Sequence, residues 1–279
     1  MGTVIGIDVG GSTTKIVGLR DGVEMMEPML VVAGDPVTSI YGAFGRFTSE
    51  YGLSLDDISR IMVTGVGGAY VNDSLYRCPC THLREFDCVG RGGLYLSGLR
   101  EAIVVSMGTG TALIHAKKNG EMTYLGGTGV GGGTILGLSR LTMGMDDIDH
   151  IVSLAKEGDL EKIDLRVGEM TKIAKKEGGL GLPGKMTAAN FGKISDIATK
   201  GDIALGIINM VFEVAAMVAI FNARLCKVKD IILTGNLTEI DQAPEIFESL
   251  SRMFDVNFVI PKKAQFSTVI GAALYGAET

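Results

Sequence analysis

The chain has 279 residues, of which 46% are hydrophobic and 21% charged, with a formal net charge of -6. This length allows a large core and two lobes, and the composition excludes a disordered chain. The acidic balance argues against a nucleic-acid partner, which requires a basic stripe, although backbone N–H groups and helix ends still bind phosphate in an acidic protein. The 40 glycines occur in clusters, which indicates tight turns and close approach of the backbone to a ligand.

A hairpin is predicted at the start of the chain. A β-branched run at 4–9 leads into a glycine- and hydroxyl-rich turn at 10–14, and a second strand begins at Lys15. The turn presents N–H groups, hydroxyls and an ammonium to one point, which suits phosphate, and Asp8 before it is placed to bind Mg²⁺. Taken alone, the segment also fits an ordinary glycine turn in solvent. The candidate phosphate ligands are Gly10, Gly11, Ser12, Thr13, Thr14 and Lys15.

A helix and another strand follow the hairpin. Residues 36–51 have the spacing of an amphipathic helix, and residues 61–65 form a strand that runs into a glycine turn. Residues 230–236 repeat this pattern and end in Thr-Gly-Asn. Gly235 and Asn236 are therefore candidates for nucleoside recognition, although an ordinary turn explains them equally well.

A second hairpin of the same kind is predicted near the middle of the chain. Residues 102–106 form a strand, 107–111 a turn and 112–116 a return strand. Two such turns facing one cleft would hold a triphosphate from both sides. The candidate ligands in this turn are Ser106, Gly108, Thr109, Gly110 and Thr111. The repetition indicates a weak internal duplication and predicts an N-terminal lobe of residues 1–100 and a C-terminal lobe of residues 101–279.

The densest glycine run, 126–134, precedes a predicted helix at 135–143. Glycines directly before a helix leave free N–H groups and the positive end of the helix dipole pointing at an anion. The alternative is a flexible loop. The candidate ligands are Gly131, Gly132, Gly133 and Thr134.

Glu85 is a candidate general base for an acceptor hydroxyl because it lies in the segment 84–88 beside the apolar Phe86. A solvent-facing role is the alternative. Residues 203–225 are apolar on nearly every face, which favours a buried core or subunit-interface helix over a membrane span. Without a visible secretory signal, the expected location is cytoplasmic.

The four cysteines, at 78, 80, 88 and 226, are unevenly spaced. Their spacing fits no standard zinc or Fe–S pattern, so reduced structural thiols are favoured over a metal site.

Together these motifs resemble the acetate-kinase/sugar-kinase/actin superfamily and, more specifically, the type II pantothenate kinases. The resemblance covers almost the whole chain, in order. Its motifs lie at residues 6–15, 64–70, 85–87, 108–111, 127–138, 156–159, 184–192 and 270–274.

The resemblance implies an α/β, two-lobed actin/hexokinase-like (ribonuclease H-like) fold with duplicated mixed sheets around an ATP cleft. It implies phosphorylation of the primary hydroxyl of pantothenate, the first step of coenzyme A biosynthesis, with ATP and Mg²⁺. Glu85 would be the base, Asp8 would organise Mg²⁺, and Lys15 with both loops would hold the phosphates. Tyr124, Thr128 and Gly129, with Glu85, would contact the acceptor. A homodimer packed through long apolar helices and a CoA or acyl-CoA effector are also implied, with no nucleic-acid or membrane partner.

The chain departs from the family at Tyr124, where the members that we can align carry an arginine that contacts the acceptor. A neutral phenol does not replace a guanidinium at an anionic substrate, and substitutes at Arg84, Arg91 or Arg140 are conceivable.

The alternatives are therefore a kinase for pantetheine or another hydroxyl acceptor, an ATP-dependent activator of 2-hydroxyacyl-CoA dehydratases, or a nucleotide- or CoA-binding regulator. The cysteine spacing disfavours the activator because that protein bridges an Fe–S cluster with two cysteines.

Overall fold

The computed structural model describes residues 2–11, 13–32, 35–170 and 183–278. The first part of the chain forms a mixed sheet whose strands run in the order β3-β2-β1-β5-β7-β6, with β4 paired to β2. These strands are β1 (Thr3–Val9), β2 (Thr14–Arg20), β3 (Glu24–Met25), β4 (Met29–Val31), β5 (Ile58–Thr64), β6 (Ser74–Leu75) and β7 (Cys78–His82).

Helix α1 (Pro36–Tyr51) packs against this sheet. The Asp35 side chain caps its start by accepting a hydrogen bond from the Thr38 N–H at 2.8 Å, with proline in the first turn. The helix ends at Gly52, which has φ 61°, a conformation that glycine adopts at little cost. The predicted bounds of this helix are confirmed.

The second part of the chain forms a five-stranded sheet in the order β10-β9-β8-β13-β14 and a small pair, β11-β12, among the described residues. The strands are β8 (Glu101–Met107), β9 (Thr111–Lys117), β10 (Met122–Thr128), β11 (Leu165–Arg166), β12 (Thr187–Ala189), β13 (Asp230–Thr234) and β14 (Asn257–Val259). The helices are α2 (Glu85–Ser97), α3 (Gly132–Met143), α4 (Ile148–Ala155), α5 (Val167–Met170), α6 (Lys200–Cys226), α7 (Ala243–Phe254) and α8 (Ser267–Glu278).

The two sheets repeat one arrangement, as the sequence predicts. In each, an antiparallel hairpin lies beside a parallel strand that ends in threonine: Asp8 pairs with Thr64, and Ser106 pairs with Thr234. The glycine after each threonine has a positive φ, 85° in the first sheet and 91° in the second. A short 3-10 helix then begins in both places. The predicted fold with duplicated mixed sheets is confirmed.

Helix α6 forms the centre of the second core. It is long and apolar enough to cross a membrane, with a mean hydropathy of 2.3, but 61% of its most apolar window is buried inside the protein. Its buried side chains include Phe212 and Ile220, and it packs against α3, α4 and α7. The prediction of a core helix is therefore supported.

Helices α2 and α8 cross between the two sheets. Val89 of α2 packs with side chains of β8, β9 and β13, whereas Ile270 of α8 packs with side chains of β2. The helices touch through glycine: a Cβ added to Gly271 would lie 1.9 Å from the Cys88 carbonyl oxygen. The last helix, α8, thus packs on the first sheet although it lies at the end of the chain. The division of the chain into two lobes at residue 100 stays a prediction.

Candidate active site

A cavity of about 660 Å³ lies between the two hairpins, with residues of both sheets in its wall. Most residues predicted to bind ligand line it. They are Asp8, Gly10, Gly11, Thr13, Lys15, Glu85, Ser106, Gly108, Thr109, Gly110, Thr111, Tyr124, Thr128, Gly129, Gly235 and Asn236. The geometry therefore brings the two distant loops and the candidate base to one space.

Two predicted groups of ligands do not line this cavity, and Ser12 lies outside the described residues. Thr14 is buried, and its hydroxyl accepts a hydrogen bond from Ser39 Oγ at 2.7 Å. It therefore holds the hairpin to α1. The segment 131–134 is also missing from the wall.

The prediction that the glycine run leaves free N–H groups is wrong for Gly132 and Gly133. Their N–H groups donate to the carbonyl oxygens of Gly108 at 2.8 Å and Thr109 at 2.9 Å. A Cβ on Gly131 would lie 2.6 Å from the Thr109 oxygen, so the close approach that needs glycine is to the second loop itself. The first turn of α3 thus fixes this loop from behind.

Asp8 and Lys15 form a charged pair that the hairpin register creates. They are direct partners on β1 and β2, and side chains of such partners lie on one face of a sheet. Burial raises the pKa of Asp8, and the Lys15 ammonium partly opposes this rise. Burial lowers the pKa of Lys15, against the attraction of Asp8. A Cβ on Gly65 would lie 2.6 Å from Asp8 Oδ1, so this glycine leaves room for the carboxylate.

Lys15 also connects the two halves of the molecule. Its Nζ donates to Asn236 Oδ1 and to the Gln265 carbonyl oxygen, each at 2.6 Å. Asn236 begins the 3-10 helix after β13. The ammonium therefore lies where the first hairpin meets the predicted nucleoside segment.

Glu85 is the first residue of α2 and lies half-buried at the cavity wall. Burial raises the pKa of its carboxyl, the neighbouring Asp8 raises it further, and Lys15 lowers it. A carboxylate with a raised pKa is a better proton acceptor, provided that it is ionised at the working pH. Its position and its environment both suit a general base.

Magnesium fits this donor set through a single carboxylate. Among the described residues, no group of three or more His, Cys, Asp or Glu side chains could hold a metal. Mg²⁺ usually keeps several waters and binds one or two carboxylates together with substrate phosphates. Asp8, which lines the cavity beside the phosphate loops, meets that requirement.

The part of the cavity predicted to contact the acceptor contains an aromatic side chain. Tyr124 of β10 lines the wall, and its ring stacks on Phe86 with centroids 4.2 Å apart and planes 9° apart. The arginines proposed as substitutes are engaged elsewhere. Arg84 pairs with Asp87, Arg91 with Glu278 and Arg140 with Asp146.

Sequence reasoning missed several wall and support residues. Val66 and Thr268 line the cavity, and Phe86 supports Tyr124. Thr268 lies in the first turn of α8, where the Ser267-Thr268 pair was an available signal. The Gln265 contact uses a backbone carbonyl, which no sequence pattern indicates.

The cysteines are free thiols: Cys78 and Cys80 lie on β7, Cys88 on α2 and Cys226 at the end of α6. Burial raises the pKa of Cys80 to about 11 and of Cys88 to about 12. Metal and cluster binding requires thiolate, so these environments favour the predicted structural role.

Comparison with known proteins agrees with this geometry. The sequence matches the Fumble family over residues 99–267. The type II pantothenate kinase of Staphylococcus aureus (strain USA300) is 30% identical over 242 residues, which cover 83% of this chain and 84% of the relative. The chain belongs to the Fumble family of type II pantothenate kinases. The kinase of Staphylococcus aureus strain bovine RF122 matches this Fumble-family chain at 29% identity over the same length.

Solved structures support the fold of this Fumble-family chain. The activator of the 2-hydroxyisocaproyl-CoA dehydratase from Clostridium difficile with bound ADPNP has a TM-score of 0.71 at 18% identity, covering 99% of this chain and 94% of that one. A ROK family glucokinase from Streptomyces griseus in complex with glucose and AMPPNP has a TM-score of 0.60 at 13% identity, covering 98% of each. These likenesses show a shared actin-like fold.

Proposed function

We propose that this chain catalyses ATP-dependent phosphorylation of the primary hydroxyl of pantothenate, the first step of coenzyme A biosynthesis. Membership of the type II pantothenate kinase family supports this reaction. The observation that carries it is the position of Glu85 in the wall of the same cavity as both hydroxyl-glycine hairpins and the Asp8–Lys15 pair.

Glu85 accepts the proton of the acceptor hydroxyl as its oxygen attacks the terminal phosphorus. The new O–P bond forms while the bond from that phosphorus to the ADP oxygen breaks, so the products are the phosphate ester and ADP. Most of the rate enhancement in such a transfer comes from positioning and charge stabilisation. Lys15 and the N–H groups of the two loops supply positive charge and hydrogen-bond donors to the phosphates.

Mg²⁺ is the expected companion of the nucleotide. Asp8 would hold it directly or through water, and the ion would neutralise charge on the phosphates. The segment at Gly235 and Asn236 would contact the nucleoside. Asn236 lines both the main cavity and a neighbouring cavity of about 370 Å³.

A homodimer, a cytoplasmic location and regulation by CoA or acyl-CoA are further parts of this proposal. The exposed face of α6 supports the dimer, because Phe221 is 53% and Leu225 80% exposed. Two exposed large apolar side chains one turn apart on a helix face favour association with another surface.

Glu85→Gln tests the assigned base. The amide keeps the size of the side chain but does not accept the proton, so we expect kcat to fall by about 10²- to 10⁴-fold, with ATP affinity retained. ADP release with pantothenate and Mg²⁺ measures the first quantity, and nucleotide titration of the free enzyme measures the second.

Glu248→Gln is the matched control, because Glu248 pairs with Arg252 on the exposed face of α7. It should leave kcat unchanged. Phosphorylation by the Glu85→Gln enzyme at the wild-type rate would contradict the assignment of the base.

A further inference from the structure

The stacked rings of Phe86 and Tyr124 lie beside the candidate base, and of the two it is Tyr124 that lines the cavity. Phe86 directly follows Glu85 on α2, and its ring stacks on Tyr124 at 4.2 Å. Phe86 is 37% and Tyr124 51% exposed, and Val66, also in the cavity wall, is 75% exposed. Exposed apolar side chains in the wall of a cavity, supported by a further aromatic ring beside it, are typical of a ligand-binding surface.

The backbone directs Tyr124 onto this wall. The pairing of β10 with β9 shifts register between Tyr124 and Gly126, and Gly126 has a φ of 121°. A β-bulge of this kind changes the direction of the neighbouring side chains and is frequent beside active sites. A Cβ on Gly127 would lie 3.2 Å from the Tyr124 hydroxyl. The phenol therefore extends over Gly127, where any larger residue would crowd it.

The charges of the cavity are unfavourable for an anionic acceptor tail. Among the described residues of the wall, the charged ones are Asp8, Glu85 and Lys15. Lys15 is the cation, and its ammonium already donates to Asn236 and the Gln265 carbonyl on the nucleotide side. A carboxylate on the acceptor would therefore lose its hydration next to the carboxylates of Asp8 and Glu85. The wall would supply no positively charged partner to compensate for that loss.

We propose that the Phe86–Tyr124 stack binds the acceptor beyond its reactive hydroxyl, and that Tyr124 determines specificity by favouring an uncharged acceptor chain over one that ends in a carboxylate. The inference rests on the proposed kinase function and deepens it. The substrate class is a hydroxyl compound extended through a neutral amide, which packs flat on an aromatic ring.

Pantothenate and pantetheine are the probes, because they share the hydroxyl-bearing end. At the other end pantothenate has a carboxylate, whereas pantetheine has a neutral amide chain. The measurement is kcat/KM for each acceptor with Mg-ATP, expressed as a ratio. We expect the wild-type enzyme to use pantetheine at least as efficiently as pantothenate. Tyr124→Arg should shift the ratio toward pantothenate by at least about tenfold, the effect of one charge-assisted hydrogen bond.

Two further variants separate specificity from folding. Tyr124→Phe keeps the stack and should leave the ratio within about twofold, whereas Phe86→Leu removes it and should lower kcat/KM for pantetheine by about threefold or more, with KM for ATP unchanged. Tyr41→Arg is the matched control, since Tyr41 is 44% exposed and packs against Tyr76 away from the cavity. It adds the same charge and should leave the ratio unchanged.

The outcomes distinguish the inference from the function on which it rests. A ratio that moves with Tyr124→Arg and not with Tyr41→Arg supports the inference. The inference is overturned if both acceptors are phosphorylated, the ratio is unchanged in Tyr124→Arg, and the pantetheine kinetics are unchanged in Phe86→Leu. The proposed kinase function is unaffected by that result. Failure of the wild-type enzyme to phosphorylate either acceptor overturns the proposed function and the inference with it.

Discussion

Gly271→Ala should destabilise the protein through the crossing of α2 and α8. The added Cβ would lie 1.9 Å from the Cys88 carbonyl oxygen and 2.9 Å from the Gly92 nitrogen. Ordinary contact begins near 3.4 Å, so the two helices must separate by about 1.5 Å. Because both obstacles are backbone atoms, no side-chain rotation relieves the clash. Overpacking of this kind costs about 3 kcal/mol of the free energy of unfolding.

The same separation should lower activity, because Cys88 lies one turn after Glu85 on α2. A displacement of about 1 Å at a catalytic group reduces kcat/KM by about 100-fold. Urea unfolding at constant m-value measures the stability change, and steady-state kinetics below the transition measures the activity.

Gly45→Ala is the matched control. Gly45 lies inside α1, and a Cβ there meets nothing within 4 Å. Alanine should stabilise this position by about 0.5 to 1 kcal/mol, because glycine is a poor helix former. A Gly271→Ala protein whose unfolding free energy lies within about 0.5 kcal/mol of wild type would refute the packing argument.

Two other predictions concern titration. The value of kcat/KM should fall as the pH drops through the pKa of Glu85, which burial and Asp8 place above its ordinary 4.5. Lys15→Met should move this acidic limb of the pH profile to higher pH, because it removes the positive charge that lowers the pKa of Glu85. If the limb of the residual activity stays at the same pH, Lys15 and Glu85 are not coupled. Asp202 is buried, and its carboxylate accepts hydrogen bonds from the N–H groups of Thr199 and Asp159. Burial acts to raise the pKa of Asp202, but these bonds hold it below 3.8, so the stabilisation is present above that pH and is lost as the pH falls further. Asp202→Ala should cost about 2 kcal/mol in urea unfolding at neutral pH, whereas Asp241→Ala, at an exposed ion pair, should cost less than about 0.5 kcal/mol.

The features that the sequence predicts well are local ones. A hairpin whose tip is glycine has few alternatives, and its register follows from the length of the turn, so the pairing of Asp8 with Lys15 follows once the turn is located. The helix at Pro36–Tyr51 carries its own start and stop signals in Asp35, Pro36 and Gly52. Recurrence of the hairpin with a Thr-Gly strand also predicts the duplicated sheets.

The features that it misses depend on contacts between distant segments. The N–H groups of Gly132 and Gly133 look free in sequence because their partners, two carbonyl groups about 24 residues earlier, become neighbours only in the folded chain. The stack of Phe86 on Tyr124 joins a helix to a bulged strand, and a bulge leaves no regular pattern in sequence. In this chain the sequence therefore predicts which side chains form the site more readily than it predicts the residues that contact them.

The bonds from Gly132 and Gly133 to the second loop also restrict how the enzyme moves during turnover. They join that loop to the start of α3, and the chain between them contains Thr128 and Gly129 of the acceptor wall. We therefore expect the loop and the segment at Thr128 and Gly129 to move together. An opening of the cavity would then occur at the boundary with the first hairpin, where it would have to break the Lys15 hydrogen bonds to Asn236 and Gln265.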